Sequence, residues 1–252
     1  MGELWNTLLY NPLLMVLVWL YNVLFANFGL AVIALTIIIR AVLVPVTLPA
    51  LKSAKKMMEL KPHLDALKEK HGNDKQRLQQ EQLKLYREHG FNPLAGCLPY
   101  LFQFLVLIAL YQVFINFLQN GQVNGIAINK EFLGIDLSKP DKTFILPILA
   151  GATQLILSLM MLPTNPNKNV LLKKEAEKVT TEKKVKEDDM QEAMQKQMLF
   201  LMPAMTVFFG FSLPSGLALY WVVTTLFSVV QQYFVTGWGG LKTVLVKLKI
   251  AS

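Results

Sequence analysis

Five apolar runs, residues 28–51, 94–118, 143–163, 198–212 and 216–236, constrain this 252-residue chain more than any other feature. Each is about 15 to 25 residues long, near the length that crosses a hydrocarbon core as a helix. A backbone in lipid has no water to bond, so it must satisfy its N–H and C=O groups internally, and a helix does so. The expected fold class is an all-α polytopic membrane protein with a five-helix transmembrane core. Charge placement agrees. Only 17% of residues are charged, against roughly 25% in an ordinary soluble domain, and they collect in 52–89 and 168–196.

Residues 1–27 form a further apolar stretch, interrupted by Asn11-Pro12, Asn22 and Asn27. It could span. Trp5, Tyr10, Trp19 and Tyr21 are the ring types enriched at the headgroup level, and only "ANFG" separates the stretch from the next run, so an interfacial helix is preferred. No lysine or arginine precedes Arg40, so a secretory-type basic start is lacking. The single cysteine, Cys97, has no partner for an internal disulfide.

Lysine and arginine set the orientation. Residues 52–89 carry ten, 164–197 eight, 119–142 three and the tail after Trp238 three. The excess marks the cytoplasmic side. The expected organisation follows: a cytoplasmic helical hairpin at 52–93, an extracytoplasmic loop at 119–142, and a charged cytoplasmic loop at 164–197. An outside turn and the last span fill 213–236, and a basic cytoplasmic tail fills 237–252. The N-terminus is then outside and the C-terminus inside.

Within the first run, "GLAVIALTIIIRAVLVPVTLP", Arg40 lies about 16–18 Å from either helix end, beyond easy snorkelling reach. A central arginine costs at least about 2.5–3.5 kcal/mol on insertion scales. No Asp or Glu lies inside any of the five runs, so an ion pair within the bundle has no acid to use. Two accounts stand: Arg40 faces a hydrated cavity, or it is buried against backbone carbonyls. Thr36, Arg40 and Thr47 share one helical stripe. Gln154 and Ser158, the series Tyr220, Thr224, Ser228 and Gln231, and the scattered Gln103, Gln112 and Asn116 are polar positions on other spans. Singly, each suits ordinary interhelical hydrogen bonding. With an unpaired arginine among them, a shared groove accounts for the set better.

The 52–93 segment reads as two amphipathic helices. Leu60, Leu64 and Leu67 form one apolar stripe; Leu78 and Leu85 form another. Asn73 or Asp74 suits an N-cap, Gly72 and Gly90 suit C-terminal caps, and Pro62 is expected to kink the first helix or mark its start. The hairpin is either solvated without a partner or a docking surface for lipid headgroups, ribosome or nascent chain. His63, His71 and His89 all lie within it. No Ser/His/Asp set, metal-ligand cluster or phosphate loop is evident, so an enzyme is not expected and no cofactor is implied.

Three blocks now carry a resemblance. "LTIIIRAVLVPVT", "KPHLDALKEKHGNDKQRLQQEQLKLYREHGFNPLAGCLPYLFQFLVLIALYQVF" and "PSGLALYWVVTTLFSVVQQYF" are similar to the core spans and hairpin of the YidC-type membrane protein insertases, over roughly residues 12–236. The "NPLAGCLP" block looks bacterial, and the chain has no room for a large periplasmic domain, so a short form is expected. The resemblance implies a bacterial inner-membrane protein whose five core helices surround a groove open to cytoplasm and lipid. Arg40 and Thr36 would match groove residues. Tyr220 and Trp221 sit where the last span contacts substrate, and Gln154 is a weaker match. The implied partners are nascent membrane proteins, the ribosome, membrane lipids, the Sec translocon and the signal recognition particle machinery, with no sequence-specific nucleic acid. The alternative from another class is a small anion transporter or channel using Arg40 as its substrate site.

Overall fold

The computed structural model describes residues 2–71, 74–90, 98–120, 122–123, 126–162 and 190–242. Its helices are α1 (Gly2–Trp5), α2 (Asn11–Val23), α3 (Phe28–His71), α4 (Lys75–Glu88), α5 (Leu98–Asn120), α6 (Ile145–Met160), α7 (Met190–Ser212) and α8 (Ser215–Thr236). A five-residue π-helical turn, Asn6–Tyr10, joins α1 to α2. Four two-residue strands form two antiparallel ladders: β1 (Gln122–Val123) with β2 (Ile126–Ala127), and β3 (Glu131–Phe132) with β4 (Ile135–Asp136). The molecule is an all-α membrane protein, as the apolar runs predict. Readings made for residues 164–189, for Gly72 and for the tail beyond Lys242 lie outside the described residues.

Helix boundaries differ from the sequence reading in two places. Residue 52 ends nothing: α3 continues through Lys52 and Pro62 to His71, with Pro45, Pro49 and Pro62 inside it. Its 44 residues make about 66 Å of helix, twice the thickness of a hydrocarbon core. Pro62 therefore neither starts nor interrupts a helix. Likewise α7 begins at Met190, eight residues before the apolar run. Hydropathy marks where a helix enters lipid, whereas hydrogen bonding continues into water.

The hairpin forms as expected beyond that point. Asp74 caps α4 by accepting from the Arg77 N–H at 3.0 Å. Gly90 follows the helix at φ 59°, the left-handed conformation that glycine adopts without a Cβ penalty. α4 folds back on α3, bringing the His63 and His89 rings to 6.2 Å and burying Leu60 and Leu64.

Among the described residues Glu3–Val23 is long and apolar enough to cross a membrane by length and composition, as are Phe28–Leu60, Leu101–Leu118 and Ser215–Thr236; Ile145–Met160 and Leu199–Ser212 are shorter apolar helices. Contacts separate the N-terminal helix from the others. Trp5 donates to Gln112, Asn116 donates to the Tyr10 hydroxyl, and the Tyr21 ring meets Phe117 edge-on. Trp5 to Tyr21 is about 24 Å of helix, yet Gln112 to Phe117 is only about 7.5 Å. The N-terminal helix thus touches α5 at its start and at its end. Its turn into α3 is tight, with Phe25 and Ala26 both at positive φ and Asn27 accepting from the Leu30 N–H.

The core is one-sided. Phe28, Ala31, Val32, Leu35 and Thr36 of α3 are buried, but no residue from Ile37 to Pro49 is. On α5 burial begins at Val106, while Leu101, Phe102, Phe104 and Leu105 are exposed. On α8 the run Ser215–Tyr220 is buried throughout. All three sets lie toward the end that carries residues 119–142, here the loop end; the other is the hairpin end. A stack of rings, Phe28 with Phe114 and Phe117, fills the loop-end core. Leu137, with no exposed surface, plugs it from the loop. The Leu137 carbonyl accepts from the Gly216 N–H, and the Lys139 carbonyl accepts from both the N–H and the hydroxyl of Ser215. Lys130 reaches the Leu118 carbonyl, and the Tyr21 hydroxyl accepts from the Asn129 N–H. The loop is therefore stitched to α2, α5 and α8.

Asp141 ends the loop and anchors α6, accepting from Thr143 and from the Leu146 N–H. Burial alone would raise its pKa, but hydrogen bonds from the Thr143 side chain and from backbone N–H groups outweigh that and hold the carboxyl below its ordinary value. On the other side of α8, α6 and α7 pack closely. A Cβ on Gly151 would stand 2.2 Å from Val207 Cγ2, so only glycine permits this approach.

Candidate functional site

Where burial on α3 stops, Arg40 begins the open half. Its Nε is buried and has no hydrogen-bond partner. A buried donor without an acceptor costs about 1–3 kcal/mol, more for a charged group. Its electrostatic neighbour is the Tyr220 phenol of α8, not a carboxylate. Of the two accounts offered by the sequence, the backbone-carbonyl account fails at Nε, which no carbonyl accepts.

Tyr220 is 2% exposed, and its hydroxyl lies 2.5 Å from Gln103 Nε2 of α5. Three helices thus place polar groups at one level: guanidinium from α3, amide from α5, phenol from α8. The polar stripe of α8 continues toward the hairpin end. Thr224 Oγ1, one turn on, is buried and faces the Tyr220 hydroxyl. Ser228 donates back to the Thr224 carbonyl, and Gln231 reaches Thr47 of α3 at 3.3 Å. The sequence-level stripe Tyr220, Thr224, Ser228, Gln231 therefore faces α3, as its four-residue spacing allows.

The other expected site residues are placed differently. Thr36 is 1% exposed and gives its hydroxyl to the Val32 carbonyl at 2.6 Å, so its own helix satisfies it. Trp221 is half-buried and follows Tyr220 by about 100° around the helix, so the two rings point to different faces. Gln154 of α6 is half-buried. The structure thus sets Arg40 in the electrostatic neighbourhood of Tyr220, whereas Thr36 bonds within its own helix and Trp221 and Gln154 are half-buried elsewhere on their helices.

Gln103 is the residue that site selection from sequence missed. It was visible as an amide in an apolar run, but Gln112 and Asn116 looked the same. Those two hold Trp5 and Tyr10 of the N-terminal helix. Only the packing tells a groove amide from a bracket. Among the described residues no group of three or more His, Cys, Asp or Glu could hold a metal ion.

Comparison with known proteins places this arrangement. The family model described as 60Kd inner membrane protein matches residues 19–239. The chain is 34% identical to the membrane protein insertase YidC 1 of Halalkalibacterium halodurans, over 98% of this chain and 85% of that protein. It is 36% identical to the membrane protein insertase YidC of Fusobacterium nucleatum, over 90% of this chain and 96% of that protein. Against the YidC of Aromatoleum aromaticum the identity is 34%, over 92% of this chain but 36% of that longer protein. The chain therefore belongs to the 60Kd inner membrane protein family of YidC-type proteins.

Proposed function

We propose that this protein is a membrane protein insertase of the bacterial inner membrane. It inserts and folds nascent membrane proteins through a hydrated groove that bears Arg40 and opens to the cytoplasm and to lipid. The one-sided burial of α3 and α5 carries the reading: α3 buries no residue from Ile37 to Pro49 and α5 exposes Leu101, Phe102, Phe104 and Leu105, while α8 stays buried through Thr225 and again at Gln232. The loop end is closed by Leu137 and the hydrogen bonds around Ser215 and Gly216. With lysine and arginine concentrated in 52–89 and 164–197, that end is the outside, the N-terminus lies outside and the C-terminus inside. The rings Trp5, Tyr10, Trp19 and Tyr21 support an interfacial position for the N-terminal helix, leaving five spans.

The physics follows from the geometry. A segment bearing an acidic residue must cross an apolar layer. A groove open over half its depth shortens that layer, and Arg40 offers an Nε–H with no acceptor of its own. Burial of the apolar part of the client in lipid then drives the process, at about 25 cal/mol per Å². The hairpin, with its exposed Lys52, Lys55 and Lys56, is where ribosome, headgroups or nascent chain would dock, with the Sec translocon and signal recognition particle machinery as further partners.

Site-specific crosslinking from Thr36, Gln154, Tyr220 and Trp221 during translation of a small membrane protein tests the reading. Adducts with the nascent chain are expected from Tyr220. If no position in the groove captures the chain while lipid-facing Phe234 does, the groove is not the route. Impermeant maleimide should label a cysteine in 126–142 in intact cells but not one in 75–90; the reverse pattern overturns the orientation.

A further inference from the structure

The tip of the loop breaks a local rule twice. β3 and β4 pair Phe132 with Ile135, so Leu133 and Gly134 are the two central residues of the turn between them. Both have positive φ, 53° and 79°. Such turns are ordinarily built from Asn-Gly, Asp-Gly or Gly-Gly, because a bulky side chain is strained at positive φ. Leucine stands there instead, and it is 86% exposed. A hairpin tip standing in water would also favour polar residues. Here Glu131 faces Asp136 at the base, and only Phe132, Leu133, Gly134 and Ile135 lie beyond them. The same pattern recurs in the turn between α2 and α3, where Phe25 has φ 57° and is 89% exposed. Trp19 and Val23, four residues apart on α2, expose their side chains just before it.

The two turns belong to one corner, because the Phe132 ring lies against Gly29 in the first turn of α3. That corner is also where α3 enters the hydrocarbon, since its membrane-crossing stretch starts at Phe28. Strain and apolar exposure are costs that water does not offset, whereas burial of a leucine and a phenylalanine in lipid offsets both. We propose that Leu133 and Phe25 form a two-part lipid anchor: the β3–β4 tip and the α2–α3 turn dip into the leaflet at the loop end and hold that end of α3 at the hydrocarbon boundary. Lipid is the occupant because the corner lies at the level of the span end and because no charged residue stands between Glu3 and Arg40. The charged groups of the hairpin base stay at headgroup level, where Lys139 pairs with Asp136 at 3.2 Å. The anchor depends on the membrane-spanning architecture and not on the insertase reading.

The test uses the full-length protein with Cys97→Ser, reconstituted into vesicles of phosphatidylethanolamine and phosphatidylglycerol. A nitroxide is attached through Phe25→Cys, Leu133→Cys or Lys139→Cys, one at a time. Its collisions with oxygen, which concentrates in hydrocarbon, are compared with its collisions with a water-soluble nickel chelate. Oxygen is expected to dominate at 25 and 133, and nickel at 139. Nickel dominance at 133 would put the tip in water and overturn the proposal. Protection from both reagents at 25 and 133 would show a protein surface on the corner, a second copy or a partner, and would overturn it as well. Leu133→Asn, which suits the turn better, supplies a second measure. With the label at 25, this variant should shift the balance of collisions from oxygen toward nickel, because half of the anchor is gone. An unchanged balance at 25 would show that the two side chains do not act together, and the two-part anchor would fall.

Discussion

The two halves of this bundle are made of the same apolar residue types and are built for opposite ends. In the loop-end half, α3, α5 and α8 present Val32, Leu35, Val113, Phe114 and Leu217 to one another, and all are buried. In the hairpin-end half, the same three helices present Ile37, Val42, Leu101, Phe104 and Leu226, and all are exposed. The difference is not hydrophobicity but the presence of a facing surface. Glycine at 216 and the plug Leu137 let the helices converge at one end.

That contrast predicts a ranking of stability losses, each measurable as thermal aggregation of the purified protein in detergent. Phe28→Ala should cost most, about 3–5 kcal/mol, because its ring is fully buried between Phe114 and Phe117. A loss below about 1 kcal/mol would show that the loop-end core is not what holds the bundle together.

Gly151→Leu comes next. The added side chain meets Val207 at once, and overpacking costs about 1–3 kcal/mol. It sharpens the comparison by testing whether the α6–α7 contact belongs to the rigid half. An unchanged melting temperature would place it with the yielding half instead.

Asp141→Asn should cost about 1 kcal/mol at neutral pH, since the amide keeps an acceptor but loses the charge. The wild-type protein should also show a pH dependence. A carboxyl held below its ordinary value in the folded state stabilises above the unfolded pKa of about 3.9, and the contribution is lost as pH falls through the lower folded value. Melting curves from neutral pH to pH 3 should therefore steepen downward for the wild type and flatten for Asp141→Asn. Parallel curves would remove Asp141 from the anchoring of α6.

Arg40→Ala should cost least, near zero, because no acid is left orphaned when a charge without a counter-ion is removed. Yet it should lower insertion of acid-bearing clients by about tenfold or more, as loss of a charge-assisted hydrogen bond implies. Arg40→Lys should retain much of the activity, since no fixed carboxylate demands a guanidinium fork. If Arg40→Ala unfolds the protein while the surviving fraction still inserts clients, the open half is structural and the comparison collapses.

The sequence by itself determined much of this. Apolar length specified the spans, because lipid leaves the backbone no choice but a helix. The absence of acids in those spans left Arg40 without a counter-ion, whatever the packing. Asp74 and Gly90 ended α4 where local chemistry says a helix begins and stops. The stripe through Tyr220 was legible because helical periodicity puts every fourth residue on one face. Pro62 lies inside α3, so of its two readings it does not mark a helix start. Only the tertiary structure decided which polar groups meet. Gln103, Gln112 and Asn116 are alike in sequence, but one reaches Tyr220 and two hold the N-terminal helix, because a neighbour's direction is fixed by helix crossing and not by residue type. The one-sided core is likewise invisible in the sequence: its two halves are equally apolar, and burial depends on how closely helices approach, which Gly216, Leu137 and the loop stitched over them set at a single end.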